Sequence, residues 1–140
     1  MTSAIPETMR AVEAPEPGGP EALPIVGRAV PKPGAGEVLI EGGAGGVNRP
    51  DVLQRLGLYA PPPGAPPTLG LEVAGTVVAA GEGVEDLAEQ KACALVAGGG
   101  YAEYCLAPAG TCLPVPAALS MAEAGARGVE SSAFTGVFLP

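Results

Sequence analysis

The spacing of glycine and proline limits the folds open to this chain more than any other sequence feature. The 140 residues include 22 glycines and 17 prolines, which separate short apolar runs along the whole length. This proportion is close to that of disordered segments, but hydrophobic residues make up 47% of the chain, which is enough for a core. Short apolar runs between turn residues are typical of β-barrels and sandwiches. We therefore predict a mainly β fold of about seven short strands with short helices.

The charge and the cysteine content exclude several classes of protein. A formal net charge of −8 disfavours nucleic-acid binding, since that binding depends on basic surface patches. No apolar run approaches the roughly 20 residues of a membrane span, and we expect no secretory signal and no membrane partner. The sequence has three cysteines and no histidine. We therefore expect no disulfide framework, no metal site and a reducing, cytoplasmic compartment.

A short helix is predicted within the stretch from Val47 to Gly75. Asn48 is suited to its N-cap, because its side-chain oxygen can accept a hydrogen bond from a backbone N–H of the first turn. Pro50 falls in that turn, where its missing N–H costs nothing, and Gly57 is suited to end the helix. The apolar face consists of residues at helical spacing, namely Val52, Leu53 and Leu56. Asn48 and Tyr59 are thereby placed at the two ends of one helix.

A glycine run, Gly42 to Gly46, separates the predicted strand Glu37–Glu41 from this helix. Strand, glycine run and helix is also the layout of a phosphate-binding turn. A dinucleotide fingerprint needs a third glycine where Asn48 stands, and a P-loop needs Gly-Lys-Ser/Thr, which does not occur. We therefore interpret the run as an irregular strand end, where glycine lets another backbone or a ligand approach closely.

The later predicted strands contain one acidic residue of interest. Leu69–Ala80 reads as the longest apolar strand region, with Glu72 inside it. An acidic side chain in such a run is either paired or at a functional rim, or it faces solvent on the polar side of the strand. Farther along, Ala92–Val96 and Tyr101–Leu106 are predicted to form a hairpin through a glycine loop. Ser120-Met121-Ala122-Glu123 is a capping box that predicts the start of a second helix.

Two parts of the sequence resemble a known enzyme family. The first comprises Gly46-Val47-Asn48-Arg49, Asp51-Val52-Leu53-Gln54-Arg55, Gly57-Leu58-Tyr59, Pro61-Pro62-Pro63-Gly64 and Leu69-Gly70-Leu71-Glu72-Val73-Ala74-Gly75. The second is Gly98-Gly99-Gly100-Tyr101-Ala102-Glu103-Tyr104. These parts are similar to the catalytic, GroES-like domain of the medium-chain dehydrogenase/reductases, in the zinc-independent quinone oxidoreductase branch.

The resemblance implies a division of the chain. Residues 9–123 are expected to form a GroES-like, partly open β-barrel, preceded by a flexible leader at residues 1–8. Residues 124–140 are expected to begin the linker helix toward a Rossmann cofactor domain that this sequence does not contain. One segment departs from the family, which usually shows Val-Gly-Asp-Arg-Val where this chain has Ala88-Glu89-Gln90-Lys91-Ala92.

The resemblance also implies a reaction and a set of site residues. Family members transfer hydride from NADPH, bound mainly by the Rossmann domain, to a quinone or another enone without metal. Asn48 matches an asparagine near the nicotinamide and the substrate, which makes it a catalytic and a cofactor-binding candidate. Tyr59 matches a catalytic hydroxyl at the substrate cleft, although a packed surface tyrosine is the alternative. Glu72 is expected in the same cleft, and Thr135 matches a threonine that contacts the nicotinamide amide. The complete enzyme is expected to form a homodimer.

Two other functions stay open. A free-standing GroES-like module would bind a partner or a hydrophobic small molecule and catalyse nothing. A co-chaperonin ring subunit fits the expected fold and the acidity alone, and fold does not determine function. Cofactor binding separates the first two possibilities, because an enzyme that contains this chain would bind NADPH and reduce a small quinone, whereas a binding module would not.

Overall fold

The computed structural model describes residues 4–126, which form a mainly β fold. The strands are β1 (Thr8–Val12), β2 (Ile25–Ala29), β3 (Glu37–Ala44), β4 (Glu72–Ala80), β5 (Lys91–Leu95), β6 (Tyr104–Pro108) and β7 (Cys112–Pro114). The helices are α1 (Arg49–Arg55) and α2 (Met121–Gly125), with short 3-10 turns at Pro20–Ala22, Glu85–Leu87 and Ala109–Thr111. The predicted fold class, a mainly β chain with short helices, is confirmed.

Five of the strands form one curled antiparallel sheet in the order β6-β3-β4-β5-β7, while β1 and β2 form a separate two-stranded ribbon. The ribbon is joined to the loops at the end of the sheet: the Val12 N–H donates to the Tyr101 carbonyl at 2.9 Å, and the Leu69 N–H donates to the Val12 carbonyl at 3.1 Å. Every strand pair within residues 4–126 is antiparallel. The described part of the chain is therefore a partly open barrel and contains no Rossmann-type parallel sheet.

The core lies along the central strands β3, β4 and β5. Its largest cluster contains Val38, Ile40, Val73, Val77, Ala92, Ala94, Val96, Cys105 and Ala107. Val38 and Ile40 share one face of β3 because side chains alternate along a strand, and both are fully buried. Burial of each such aliphatic side chain contributes about 1.5–3 kcal/mol. The short apolar runs of the sequence thus form a buried core, although the proportion of glycine and proline is close to that of disordered segments.

The glycine run overlaps the last three residues of β3 and forms an irregular strand end, as predicted. The register between β3 and β4 shifts between Leu39 and Ile40 and again between Gly42 and Ala44. A register shift of this kind is typical of a β-bulge, which bends a strand and redirects the residues beyond it. The bend carries the chain from β3 into α1.

The predicted hairpin between Ala92–Val96 and Tyr101–Leu106 is wrong. Strand β5 pairs with β4 and β7, whereas β6 pairs with β3 on the other side of the sheet. The backbone N–H groups of the intervening loop donate elsewhere, from Gly99 to Thr68 (2.8 Å), from Gly100 to Gly70 (3.1 Å) and from Tyr101 to Leu69 (2.8 Å). The loop therefore satisfies its hydrogen bonds with the segment before β4 and crosses the sheet instead of turning back on β5.

A buried carboxylate anchors the ribbon. Glu13 is only 6% exposed, and it accepts hydrogen bonds from Nε and Nη2 of Arg28 at 2.7 and 2.6 Å. The Arg28 guanidinium, as a hydrogen-bond donor and a nearby positive charge, lowers the pKa of Glu13. Glu13 also forms a β-bridge with Thr68. The ion pair thus connects β2 with the segment that precedes β4.

The second helix begins at the predicted capping box. The Glu123 N–H donates to Ser120 Oγ at 3.2 Å, and the Ser120 N–H donates to Glu123 Oε2 at 2.8 Å. Helix α2 contacts β3 and β4. The continuation of the predicted linker helix beyond Ala126, and Thr135 with it, lies outside the described residues.

Candidate functional site

The candidate site is built around α1, which begins and ends where the sequence predicted. Asn48 is the N-cap residue, with the extended backbone (φ −119°, ψ 157°) that such a residue adopts. At the other end Gly57 has φ +75°, a conformation that glycine adopts without steric cost. The helix ends in a Schellman motif. The Gly57 N–H donates to the Gln54 carbonyl at 3.0 Å, and the Leu58 N–H donates to the Leu53 carbonyl at 2.8 Å.

The N-terminal cap differs in detail from the prediction. Asn48 and Asp51 are arranged as a capping box, in which the firm hydrogen bond runs from the Asn48 backbone N–H to Asp51 Oδ2 at 2.9 Å. In the other half of the box the Asp51 backbone N–H faces the Asn48 side-chain oxygen, but this contact is weaker than a full hydrogen bond. Instead, the Asn48 amide nitrogen Nδ2 donates to Glu72 Oε1 at 2.9 Å. The Asp51 carboxylate therefore holds the helix start, and the Asn48 side chain is engaged with β4.

Glu72 is the buried partner of Asn48. Its exposed fraction is 3%, so the alternative that it faces solvent is wrong and the paired interpretation is confirmed. The two side chains can meet because Gly46 leaves room: a β-carbon at Gly46 would overlap Glu72 Oε1. The glycine run thus allows the close approach that the sequence predicted, and the group that approaches is a carboxylate.

Two residues that the sequence analysis did not select complete the cluster. Asp51 is the buried residue of α1, at 4% exposure, whereas Leu56 of the predicted apolar face is 39% exposed. Tyr101 Oη donates to the same oxygen, Asp51 Oδ2, at 2.7 Å. Burial raises the pKa of Tyr101 well above its usual value, and the hydrogen bond to the Asp51 carboxylate raises it further. Tyr101 therefore stays protonated at physiological pH and remains a hydrogen-bond donor.

Only some of the predicted site residues are brought together. Asn48 and Glu72 are hydrogen-bonded, whereas Tyr59 is half-buried just beyond the end of α1. The Tyr59 hydroxyl makes no hydrogen bond within the described residues. The acidic residue three positions after Asn48 is a capping-box signal that could have identified Asp51. No comparable signal marked Tyr101, since its link to Asp51 spans 50 positions of sequence.

The cavities near the candidate site and away from it differ in the residues that line them. One, of about 280 Å³, lies beside the glycine run and is lined by Gly42, Gly43, Ala44, Gly45, Gly100, Tyr101 and Ala102. A larger one, of about 420 Å³, is lined by the Pro63–Pro66 loop, by Val96 and by residues of β6, and by none of the predicted site residues. The smaller cavity shares Tyr101 with the Asp51 cluster, and so does a third cavity of about 360 Å³ that is also lined by Arg10 and Glu103, so the candidate site borders both.

Two classes of site receive no support from the described residues. Among them, no three His, Cys, Asp or Glu side chains are grouped so that they could hold a metal ion. None of the helices within residues 4–126 is long and apolar enough to cross a membrane.

A partly open antiparallel barrel, with a short helix leading from an irregular strand end, defines a GroES-like domain. The family model of the alcohol dehydrogenase GroES-like domain matches residues 34–117, which is more than half of the chain. The chain belongs to this family, in the quinone oxidoreductase branch of the medium-chain dehydrogenase/reductases. The predicted family is thus confirmed.

Individual relatives agree with this assignment. Quinone oxidoreductases from Rattus norvegicus and Lama guanicoe are 36% and 40% identical over 124 residues, which is 86% of this chain. The chain spans only 38% of the length of each. Among solved structures, a human synaptic vesicle membrane protein VAT-1 homolog-like protein matches 94% of this chain with a TM-score of 0.80 and 30% identity, over 43% of its own length. A mycobacterial protein in complex with NADPH matches 94% with a TM-score of 0.76 and 37% identity, over 41% of its own length.

Proposed function

We propose that this chain is the substrate-side domain of an NADPH-dependent quinone or enone oxidoreductase that transfers hydride without zinc. The observation that carries the proposal is the Asn48 amide, held by buried Glu72 at the end of the glycine run. Relatives named quinone oxidoreductases match 86% of the chain. Because the chain spans little more than a third of their length, the activity is proposed for the longer protein to which such a domain belongs.

The roles of the residues follow from their chemistry. Glu72 accepts from Asn48 Nδ2, which fixes the amide plane. The amide oxygen Oδ1 faces the Asp51 backbone N–H at the helix start, and its second lone pair can interact with the cofactor amide or the substrate. We assign the Tyr59 hydroxyl to the substrate cleft, as a donor to the quinone oxygen on which negative charge develops. A positioned donor of this kind lowers the barrier to charge development. Thr135 is kept as a candidate contact to the nicotinamide amide.

The cavity beside the glycine run fits only part of NADPH. Its lining consists mainly of glycine and alanine residues and of Tyr101, which suits a flat nicotinamide ring. No cationic side chain is among the described lining residues, and phosphate groups are bound most readily by Arg, Lys or helix N-termini. We therefore propose that the nicotinamide end rests here and that another domain holds the phosphates. When bound, NADPH supplies the hydride.

The donor set supports chemistry without zinc. Protein zinc sites are built mainly from Cys and His ligands, and this sequence has no histidine. Of its three cysteines, Cys93 and Cys105 are buried in the sheet. The expected reducing, cytoplasmic compartment and the homodimer of the complete enzyme stay predictions.

Titration with NADPH, followed by the fluorescence of the cofactor, tests the proposal. We expect no binding to the 140-residue chain alone and turnover of a small quinone by a longer protein from the same source that includes it. In that longer protein Asn48→Ala should lower kcat about 10- to 100-fold, because the amide would no longer orient the reactants. Gln54→Ala, on the same helix, is the matched control.

The comparison of turnover with stability decides the role of Asn48. If the fall in the free energy of unfolding of Asn48→Ala accounts for the whole loss of turnover, the Asn48 side chain has only a structural role, as the hydrogen-bond partner of Glu72. If the longer protein neither binds NADPH nor reduces any quinone, the enzyme proposal is wrong.

The larger cavity favours a second candidate, a binding module for a hydrophobic small molecule. Its volume of about 420 Å³ lies in the range of ligand pockets, and much of its lining is proline, valine and leucine. An environment-sensitive apolar dye such as anilinonaphthalene sulfonate should then bind the isolated chain at one saturable site. Ala97→Trp, which places a large side chain at an exposed position of the lining, should weaken that binding, and unchanged dye affinity in this variant would count against the cavity.

A further inference from the structure

The cluster around Asp51 joins two distant parts of the chain at a single oxygen atom. Asp51 Oδ2 accepts from the Asn48 backbone N–H at 2.9 Å and from Tyr101 Oη at 2.7 Å. Asp51 itself is 4% exposed. The position of the Asp51 carboxylate therefore depends on Tyr101, and the backbone of Asn48 depends on that carboxylate.

The carboxylate has few alternative contacts. Within residues 4–126 its other oxygen, Oδ1, is buried without a hydrogen-bond partner. Hydrogen bonds to an ionised acceptor are shorter and stronger than neutral ones, and a buried oxygen without a donor is costly. Loss of the Tyr101 donor would leave the Asn48 backbone N–H as the one donor to the Asp51 carboxylate within the described residues. The carboxylate would then rotate to find other donors or water.

Tyr101 is itself held firmly. Its backbone N–H donates to the Leu69 carbonyl at 2.8 Å, and its carbonyl accepts from the Val12 N–H at 2.9 Å. These bonds fix Tyr101 between the β1–β2 ribbon and the segment before β4. The ring also lines the cavity beside the glycine run. Tyr101 is therefore held in place by hydrogen bonds to parts of the barrel other than α1.

We infer that Tyr101 is a positioning residue for Asn48, acting through Asp51 to hold the turn that presents the Asn48 amide. Asn48 is then fixed twice, its side chain by Glu72 and its backbone by Asp51 and Tyr101. The structural part of this inference stands on the contacts alone. Its consequence for hydride transfer rests on the proposed function.

Hydrogen exchange of the Asn48 backbone N–H, followed by NMR on the chain, tests the structural part. Tyr101→Phe keeps the ring and removes the donor, so we expect exchange at Asn48 to accelerate about tenfold. Exchange at Val77, in the core of β4, should change only as much as global stability does. Tyr104→Phe is the matched control, since it removes a tyrosine hydroxyl on β6 and leaves the Asp51 cluster intact.

The variant Asp51→Asn distinguishes an effect of Tyr101 that acts through Asp51 from a general loss of stability. If Tyr101 acts through Asp51, the double variant should exchange at Asn48 no faster than Asp51→Asn alone. The inference is overturned if Tyr101→Phe leaves Asn48 exchange unchanged, or if it accelerates Asn48 and Val77 equally after correction for stability.

Turnover by the longer protein tests the catalytic consequence. Tyr101→Phe should lower kcat about tenfold with little change in KM, and this loss should disappear in the Asn48→Ala background. A longer protein without turnover overturns the proposed function, while the exchange experiment still decides the role of Tyr101. A loss of kcat that persists in the Asn48→Ala background overturns the assignment of Asn48 as the residue positioned.

Discussion

Replacement of Gly46 by alanine should break the contact on which the candidate site depends. The three atoms nearest to a β-carbon at this position all belong to the Glu72 side chain, and one of them, Oε1, would be overlapped. Because Glu72 is 3% exposed, its carboxylate cannot simply swing into solvent. We expect it to leave its hydrogen bond with Asn48 Nδ2, which measures 2.9 Å.

The loss in free energy of unfolding caused by Gly46→Ala is set mainly by that hydrogen bond. A hydrogen bond to a charged group contributes about 1.5–3 kcal/mol, so Gly46→Ala should lower the free energy of unfolding by about 2 kcal/mol. For a chain of this size such a change lowers Tm by about 6 °C. Urea and thermal denaturation measure both quantities. Gly27→Ala is the control, since a β-carbon at Gly27 meets nothing within 4 Å.

A double-mutant cycle with Glu72→Ala tests the cause. If the overlap with Glu72 is responsible, Gly46→Ala should cost nothing once Glu72 is alanine, and the lower entropy of the unfolded chain can make it slightly stabilising. An equal loss of stability in both backgrounds would refute the reasoning, because the cost would then arise from the backbone at Gly46.

Three further predictions follow from conformations and burial described above. Gly57→Ala should lower the free energy of unfolding by about 1–2 kcal/mol, and more than Gly64→Ala does in urea denaturation, because both glycines have positive φ but only Gly57 lies against a neighbouring side chain. Glu89→Gly should raise it by about 1 kcal/mol, since Glu89 has φ +67°, whereas the control Glu82→Gly should not. The Cys105 thiol, whose pKa burial raises to about 12, should resist alkylation in the native chain at pH 8 and react once urea unfolds it, as measured by peptide mapping. Rapid modification of Cys105 itself in the folded chain would contradict its burial, whereas half-buried Cys112 can react there.

Local signals predicted the fold better than long-range ones did. The ends of α1 were predictable because an N-cap residue and a glycine with positive φ act on backbone groups a few positions away. The pairing partners of β5 and β6 were not predictable. The glycine loop between them indicates a change of chain direction, but the sequence does not show which carbonyls will accept hydrogen bonds from its N–H groups. Those carbonyls belong to residues 68–70, about thirty positions earlier.

The candidate site shows the same division. Asn48 was predictable from its position before a helix and from the family resemblance. The burial of Glu72 was not, since it depends on the space that Gly46 leaves in the folded chain. The link between Tyr101 and Asp51 joins residues that only the tertiary structure brings together. The glycine loop that made the hairpin prediction wrong is also what places Tyr101 beside α1.

The capping arrangement at α1 makes position 48 open to redesign. The helix start is secured by a main-chain donor, which every residue except proline possesses, and by a carboxylate three positions later. Serine or cysteine, whose side chain can still donate to Glu72, could therefore stand at position 48 while the helix still begins at Arg49. A library at this single position would exchange the functional group offered to a ligand without rebuilding the scaffold around it.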